Sequence, residues 1–380
     1  MRILVTAPWG EALGGAEAML QSVLRGGQES GHQLEIVFFE DGPWPAELRA
    51  AGFRVEVFSV GRVREAHRWA ATVIRLARIM RRRQPDLILN WAAKTHLYGS
   101  PAAALVGMSD RVVWWQQAIP RRLWLDVCAT MLPAAAIGCY SRASAEAQAR
   151  LFPARRTFIV AAGAPVPDEL PLQAPMAHID LPTDVPVVGL VGRLQPWKGQ
   201  DRLLRAQALL RERGHRMHTL IVGGDAYGLS AQYAASIPAL VSELGLGEDV
   251  TMTGQVPDAA PYIAQMDILL NASDPEPFGI VLLEGMARGV AVVAVASGGP
   301  GDFIQHGRTG VLARSGEPAA LADALEPLLG SPAQRAELGR AGRDSFMREF
   351  TDVAMCARFF AEIEQILQDR RRGSNHARRS

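Results

Sequence analysis

The sequence has 380 residues, of which 48% are hydrophobic and 21% charged, and its formal net charge is +1. This composition excludes a disordered chain and allows two domains of ordinary size. A net charge so close to zero argues against a dedicated nucleic-acid-binding protein. The three cysteines are scattered, which indicates neither a disulfide framework nor a zinc site and is typical of a reducing cytoplasm. We expect no signal peptide and no membrane-spanning segment.

Short apolar segments alternate with helical patterns through residues 1–163, which is typical of a parallel α/β sheet. Helices are expected at 65–83 and 144–152. Strands are expected at 2–7, 34–39, 55–60, 86–91, 111–116, 134–140 and 157–161. The segment 164–186 is rich in proline and lacks periodicity, so we interpret it as a linker.

The alternation resumes at residue 187 and continues to about 349, which predicts a second Rossmann-like domain. Residues 350–380 are expected to form a C-terminal helix, which could cross back to the first domain, and a frayed basic tail. The expected helices of the second domain are 199–213, 231–245, 278–289 and much of 318–369. The expected strands are 187–192, 218–223, 249–253, 267–271 and 291–296.

The turn after the first strand contains Gly14 and Gly15, just before a helix that should start near residue 16. Glycines there allow backbone N–H groups to approach a ligand, and a helix N-terminus favours an anion. The pattern is not GxGxxG, which disfavours a nicotinamide enzyme. An ordinary glycine-rich turn is the alternative.

The second domain opens with a strand that ends at Gly192, followed by Arg193 and, five residues later, Lys198. Two cations beside a helix N-terminus can bind a diphosphate without a metal. We expect both side chains to be exposed, and a solvated surface pair is the alternative. No acidic pair follows a strand in a way that would hold Mg²⁺.

Two glutamates flank an apolar segment, Glu276 in a turn and Glu284 inside the following helix. Pro277 suits the first helical position, so the N–H groups of Phe278 and Gly279 should be unpaired and face a ligand. A carboxylate among apolar neighbours, as at Glu284, needs hydrogen-bonding partners. The alternatives are a helix-start carboxylate for Glu276 and, for Glu284, a structural glutamate paired with an arginine.

Taken in this order, these elements resemble the retaining family 4 glycosyltransferases of GT-B fold, in which two Rossmann-like domains face a cleft. The E-x7-E element, Glu276 to Glu284, is the most specific match. The others are Gly192, Arg193 and Lys198, the glycines of the first turn, and the loop 297–310. Asp302 in that loop stands where the family often has glutamate, which leaves the donor open.

The resemblance implies an enzyme that transfers a sugar from a nucleotide diphosphate, a UDP- or GDP-sugar, with retention and without a metal or other cofactor. Glu276 would lie beside the transferred sugar, and Glu284 would accept hydrogen bonds from the ribose. The diphosphate would be bound by Arg193, Lys198, Gly15, Gly279 and Ile280. The base would lie against Gly254, Gln255 and Val256.

The sequence departs from the family after the fifth strand, where Gln117 occupies the place of a histidine that contacts the donor sugar. Glutamine can donate a hydrogen bond but cannot shuttle a proton near neutral pH, which fits a mechanism in which the leaving phosphate takes the acceptor's proton. His96 is another candidate polar partner, with a structural histidine as the alternative.

The first half holds seven of the eight tryptophans and several arginine clusters. Tryptophans could stack on sugars or fill the core. The arginines, among them 62–83 and 121–122, could form a solvated face or bind anionic lipid or a lipid-diphosphate acceptor. We expect a glycan or lipid-linked acceptor of cell-surface polysaccharide or glycolipid synthesis, and a cytoplasmic protein at the inner face of the membrane. The alternatives are an epimerase or phosphorylase of the same fold, or a non-catalytic nucleotide-sugar-binding protein.

Overall fold

The computed structural model describes residues 1–12, 14–61, 64–167, 179–225, 228 and 230–377. The chain forms two compact units. Unit 1 comprises Met1–Ala162 and Val353–Ser380, and unit 2 comprises Gly163–Asp352. Among the described residues, no helix has both the length and the apolar character needed to cross a bilayer.

Unit 1 is built on a seven-stranded parallel sheet with strand order β3-β2-β1-β4-β5-β6-β7. Every strand expected in this half is present, and several are shorter than expected. The strands are β1 (Arg2–Ala7), β2 (Gln33–Phe38), β3 (Arg54–Val57), β4 (Leu87–Asn90), β5 (Val112–Gln116), β6 (Ala136–Cys139) and β7 (Thr157–Ile159). The order reverses between β1 and β4, and in open α/β sheets such a reversal is where ligands bind.

Helices connect these strands, as parallel pairing requires. They are α1 (Gly15–Glu29), α2 (Pro43–Ala50), α3 (Ala66–Arg83), α4 (Ala93–Leu105), α5 (Trp124–Met131) and α6 (Arg142–Ala149). Apolar side chains of α3, α4 and α5 join those of β4, β5 and β6 in one core, which includes Leu76, Tyr98, Trp114 and Ala129. These three helices therefore cover the same face of the sheet.

Four of the tryptophans in unit 1 are core residues rather than sugar platforms: Trp44, Trp91, Trp114 and Trp115 are each at most 2% exposed. The rings of Trp91 and Trp115 stack with their centroids 5.3 Å apart. Trp115 also contacts Phe158. Because both faces of a parallel sheet are covered, its strands consist of nearly continuous apolar residues.

Unit 2 contains a six-stranded parallel sheet with the order β10-β9-β8-β11-β12-β13. The strands are β8 (Val187–Val191), β9 (His218–Val222), β10 (Val250–Met252), β11 (Ile268–Asn271), β12 (Ala291–Val295) and β13 (Val311–Ala313). The sequence patterns did not predict β13. The helices are α7 (Gln200–Glu212), α8 (Ala231–Glu243), α9 (Ala260–Ile263), α10 (Ile280–Ala287), α11 (Pro318–Leu329) and α12 (Pro332–Glu349).

The last helix, α13 (Asp352–Ala377), packs in unit 1 although it follows unit 2 in the chain. Phe359 contacts the Trp115 ring, with 5.5 Å between the ring centroids. Arg156 and Asp369 form an ion pair of 2.9 Å. The expected frayed tail is helical as far as Ala377. Part of the expected linker, 168–178, lies outside the described residues.

The packing around Trp115 yields a stability prediction. A Cβ atom at Gly138, on β6, would lie 2.3 Å from two ring carbons of Trp115. Because the indole is enclosed, we expect Gly138→Ala to lower the free energy of unfolding by about 1–3 kcal/mol, as overpacked cores do. Urea denaturation measures the loss. Gly330→Ala is the control, since no atom lies within 4 Å of a Cβ there; equal midpoints for the two variants would contradict a rigid core at this position.

Candidate functional site

The strand order of unit 2 reverses between β8 and β11, and ligands of open α/β sheets bind at such a reversal, outside the carboxyl ends of the strands. The loop 192–199 follows β8, and the loop 272–279 follows β11. A Cβ at Gly199 would lie 2.8 Å from the carbonyl oxygen of Ala272, so the two loops are in direct contact. The N–H of Asp274 donates to the Trp197 carbonyl at 3.1 Å.

Lys198 and Glu276 form a buried ion pair between these loops. The Lys198 Nζ atom lies 2.9 Å from Glu276 Oε2, and the side chains are 17% and 7% exposed. Asn271 Nδ2 donates to the same carboxylate oxygen at 3.2 Å. The expectation that Lys198 is exposed is wrong, because the lysine side chain turns inward and neutralises Glu276.

Glu276 is held as an anion despite its burial. Burial alone would raise its pKa, but the Lys198 ammonium and hydrogen bonds from Lys198, Ser273 and Asn271 leave the pKa below its ordinary value. The backbone of Glu276 is also fixed, because its N–H donates to the Ser297 carbonyl at 3.1 Å. The loop 297–310 therefore helps to fix the position of Glu276.

Arg193 lies on the same loop as Lys198 and is half-buried. Its backbone carbonyl accepts a hydrogen bond of 2.9 Å from Gln200. Within the described part of the chain, no carboxylate pairs with its guanidinium. Arg193 is therefore available to an anion at the strand reversal, whereas Lys198 already has a partner.

The helix after Glu276 starts later than expected. Helix α10 begins at Ile280, with Gly279 as its N-cap at φ 95°, so Pro277 is not the first helical residue. The N–H of Phe278 donates to Glu276 Oε1 at 3.5 Å rather than facing a ligand. The N-terminus that could receive an anion is therefore that of Ile280.

Glu284 lies one turn into α10 and is half-buried. Burial raises its pKa to about 7, with Arg288 lowering it and Asp258 raising it further. The Arg288 Nη1 atom donates 2.8 Å to the backbone carbonyl of Glu284, so the guanidinium bonds to the helix rather than to the carboxylate. A half-buried carboxyl that is poised between its two protonation states can exchange water for ligand hydroxyls.

The loop after β10 leads into α9, which packs against α10. This loop contains Gly254, Gln255 and Val256. The N–H of Gly223 donates to the Gly254 carbonyl at 3.0 Å, which ties the ends of β9 and β10 together. Gly223 has φ 132°, and a Cβ on it would lie 2.3 Å from the Gly192 carbonyl oxygen, so three strand ends meet through glycines.

Unit 1 contains the remaining candidates. Helix α1 begins at Gly15 with Gly14 as its N-cap, and a Cβ on Gly14 would lie 2.7 Å from Glu17 Oε2. A carboxylate of the chain therefore already lies at this helix N-terminus. Gln117 follows β5, is half-buried, and donates through Nε2 to the Trp91 carbonyl.

His96 is fully buried, and its ring stacks on Trp114 with 5.0 Å between centroids. The Nδ1 atom lies 3.2 Å from Asn90 Nδ2. Burial lowers the pKa of His96 to about 3, so the imidazole is neutral. These observations favour the structural role that the sequence left open.

Asn271 is a site residue that was not expected from the sequence; it ends β11 and donates a hydrogen bond that orients Glu276. Its Oδ1 accepts a hydrogen bond of 2.9 Å from the N–H of Ser273. A polar side chain at the carboxyl end of a buried strand was the available signal. In the parts of the chain that are described, no group of three or more His, Cys, Asp or Glu side chains could hold a metal.

Known proteins resemble this chain in sequence over part of its length. Residues 176–345 match the family model described as Glycosyl transferases group 1. The chain is 38% identical over 161 residues to a D-inositol 3-phosphate glycosyltransferase of Nocardia farcinica, covering 41% of this chain and 36% of that protein. It is 36% identical over 169 residues to a GDP-mannose-dependent alpha-(1-6)-phosphatidylinositol monomannoside mannosyltransferase of Mycolicibacterium smegmatis, covering 42% and 43%. The matched segments thus span half or less of these relatives.

Solved structures match over almost the whole chain. Anabaena Alr3699/HepE, in complex with UDP, superposes with a TM-score of 0.78 at 24% identity and covers 96% of this chain and 100% of that one. A sucrose-phosphate synthase of Thermosynechococcus elongatus gives a TM-score of 0.82 at 21% identity, covering 97% and 99%. With its two parallel-sheet units, the chain has the GT-B fold.

Proposed function

We propose that this protein is a retaining glycosyltransferase of family 4 that transfers a sugar from a nucleotide diphosphate to a glycan or lipid-linked acceptor without a metal. The observation that carries the proposal is the buried Lys198–Glu276 pair at the strand reversal of unit 2. It places a fixed carboxylate and a cation together at the edge where ligands of this fold bind.

The cations and the helix N-terminus suit a diphosphate leaving group. Arg193 can donate to two phosphate oxygens, Lys198 can supply a point charge, and the first N–H of α10 adds a partial positive charge. As the sugar–phosphate bond breaks, negative charge grows on the phosphate, and fixed donors stabilise that charge most in the transition state. We also propose Gly15 in unit 1 as a diphosphate contact, which would require the Glu17 carboxylate to move away from this helix N-terminus.

Glu276 is assigned to the transferred sugar, where positive charge develops as the bond opens. Its ionised state, maintained by Lys198 and Asn271, suits that role. We propose that Gln117 donates a hydrogen bond to the transferred sugar. We propose only a structural role for His96, because its ring is enclosed in the core of unit 1.

Glu284 is assigned to the ribose hydroxyls, and Gly254, Gln255 and Val256 to the base. The names of the relatives, one of them GDP-mannose-dependent, support a nucleotide sugar as donor. Their acceptors, inositol phosphate and phosphatidylinositol mannoside, support an acceptor with a polar ring that is free or lipid-linked.

The proposal is tested with purified protein and a panel that includes UDP-glucose and GDP-mannose. We expect release of nucleoside diphosphate when a glycan or lipid extract is present, and we expect this activity to persist in excess EDTA. Nuclear magnetic resonance of the product should show the donor's anomeric configuration. Release without an acceptor but with an altered sugar would indicate an epimerase, and binding without release would indicate a non-catalytic protein. Loss in EDTA with recovery in Mg²⁺ or Mn²⁺ would contradict the metal-free site.

Arg193 and Lys198 should differ in their effect on stability. Replacing either residue by alanine should slow turnover by about 10²-fold, because each removes charge from the leaving-group site. Lys198→Ala also leaves Glu276 buried without its cation, which should cost about 1–3 kcal/mol of unfolding free energy. Arg193→Ala breaks no ion pair of the described residues, so its stability should change by less than about 0.5 kcal/mol.

Turnover and urea denaturation measure the two effects. Arg205→Ala is the matched control, since Arg205 is exposed on α7. It should leave both quantities unchanged. Equal stability of the Arg193 and Lys198 variants would contradict the buried pair, and normal turnover in either would contradict the diphosphate site.

Glu284 should make donor binding depend on pH. The pKa of Glu284 is about 7, and ribose hydroxyls that donate to the carboxylate favour its ionised form. Affinity for a nucleotide sugar should therefore rise from pH 6 to pH 8, by up to about tenfold. Calorimetry at the two pH values measures the rise. Glu284→Gln should abolish it while Glu276→Gln retains it; a rise that survives in Glu284→Gln would rule out this assignment.

A further inference from the structure

Helix α5 in unit 1 exposes most of its apolar side chains. Leu123, which precedes the helix, is 62% exposed, Trp124 is 66% exposed and Met131 is 56% exposed. Leu125 and Val127 are exposed as well. The buried residues of α5 are Ala129 and Thr130. An exposed tryptophan within a continuous apolar segment indicates an interaction surface.

Polar contacts hold this helix on the unit, so that its apolar face does not need to turn inward. Gln148 donates 2.8 Å to Thr130 Oγ1. The Arg155 guanidinium donates to the carbonyls of Thr130 and Met131, at 3.2 and 3.0 Å. These bonds satisfy the C-terminal carbonyls of α5 and fix which face points to solvent.

The charged side chains around this surface are mainly basic. Arg121 and Arg122 come directly before it and are exposed, and no carboxylate is paired with either among the described residues. Arg122 has φ 44°, a left-handed conformation that shapes this turn. The acidic group nearest in sequence, Asp126, accepts a hydrogen bond of 2.9 Å from the backbone N–H of Arg121.

The imbalance extends to α3 and α4, which cover the same face of the sheet as α5. Together the three helices contain one acidic residue, Asp126. Their basic residues are Arg68, Arg75, Arg78, Arg81, Arg82, Arg83 and Lys94. Ion pairs occupy Arg68, Arg82 and Arg83, whereas Arg78 and Arg81 are exposed without a carboxylate partner in the described residues. Arg62, at the start of this arginine-rich region, lies outside the described residues.

We propose that Leu123, Trp124 and the exposed side of α5 insert into the interfacial region of a membrane that contains anionic lipid, with Arg121 and Arg122 on the headgroups. Tryptophan suits this region because its ring is apolar and its N–H is polar. Basic side chains beside an apolar helix add attraction to anionic headgroups. A second copy of the chain is a poorer partner, because Arg121 and Arg122 of one copy would repel the same arginines of the other. The proposal does not depend on sugar transfer.

Co-sedimentation of the full chain with vesicles tests the proposal. We expect binding to vesicles of equal parts phosphatidylcholine and phosphatidylglycerol, and little binding to phosphatidylcholine alone. Raising the salt from about 0.05 to 0.5 M should weaken the binding, because salt screens exposed charges. Equal binding to both kinds of vesicle, or binding to neither, would overturn it.

Two double variants separate the apolar and the basic contributions. Leu123→Ser with Trp124→Ser should weaken binding about tenfold or more, because both side chains leave the interface. Arg121→Gln with Arg122→Gln should weaken it by a similar factor and reduce its salt dependence. Met347→Ser is the control, since Met347 is 44% exposed in unit 2. Unchanged binding in either double variant would overturn the proposal.

Brominated lipid gives a second readout that does not require a large substitution. Quenching of tryptophan fluorescence on vesicle binding should be largely lost in Trp124→Phe, because Trp124 is 66% exposed and is the most exposed of the eight tryptophans, whereas four of the others are enclosed in the core. Persistent quenching would overturn the insertion of Trp124. If the wild type formed a dimer and bound no vesicles, and the Leu123→Ser, Trp124→Ser variant were a monomer, the surface would instead bind a second copy of the chain. Calorimetry with a nucleotide sugar should give unchanged affinity in all these variants, which separates this proposal from the proposed function.

Discussion

The candidate site depends on one ion pair between two loops that are far apart in sequence. Lys198 follows β8 and Glu276 follows β11, and they meet because these strands are neighbours at the point where the order of the sheet reverses. Burying a carboxylate is costly unless a cation and hydrogen bonds compensate, and here Lys198 and Asn271 do so. The pair thus keeps a charge inside the protein where bond breaking would need one. It also keeps the lysine beside Arg193, which the structure leaves without an acidic partner among the described residues.

The two glutamates of the E-x7-E element experience opposite environments. Glu276 has a pKa below its ordinary value because a cation contacts it, whereas burial without such a contact raises the pKa of Glu284 to about 7. The contact with Lys198 therefore favours the ionised form of Glu276, whereas the ionisation of Glu284 depends on which groups donate hydrogen bonds to it. The roles proposed above, charge stabilisation for Glu276 and ligand recognition for Glu284, rely on this difference.

The sequence predicted the strands and most helices well, because buried parallel strands appear as short apolar segments between amphipathic ones. It did not predict β13, a three-residue strand that directly follows the glycine-rich loop 297–310. The predicted start of α10 was wrong, because the prediction relied on the local preference for proline at the first position of a helix. In the structure, Gly299 packs against Phe278, and a Cβ there would lie 2.4 Å from the Phe278 Cα, so a long-range contact sets the boundary.

The same limit applies to the site. The sequence identified Glu276, Glu284, Arg193 and Lys198 as candidates, since each follows a strand or lies in a recognisable element. It could not show that Lys198 contacts Glu276, because that contact requires knowing which strands are adjacent. Nor could it separate buried from exposed tryptophans: Trp115 and Trp124 both lie in apolar segments, but one is enclosed and the other is in solvent.

The return of α13 to unit 1 has a consequence for how the chain folds during synthesis. Unit 2 is complete once residue 352 has been made, whereas unit 1 receives its last helix only from residues 353–380. Until then the Trp115 ring lacks the contact with Phe359. Domains generally fold as they emerge from the ribosome, N-terminal first. In this chain the unit that is synthesised first is the one that is finished last, so part of its core is exposed to chaperones while unit 2 is being made.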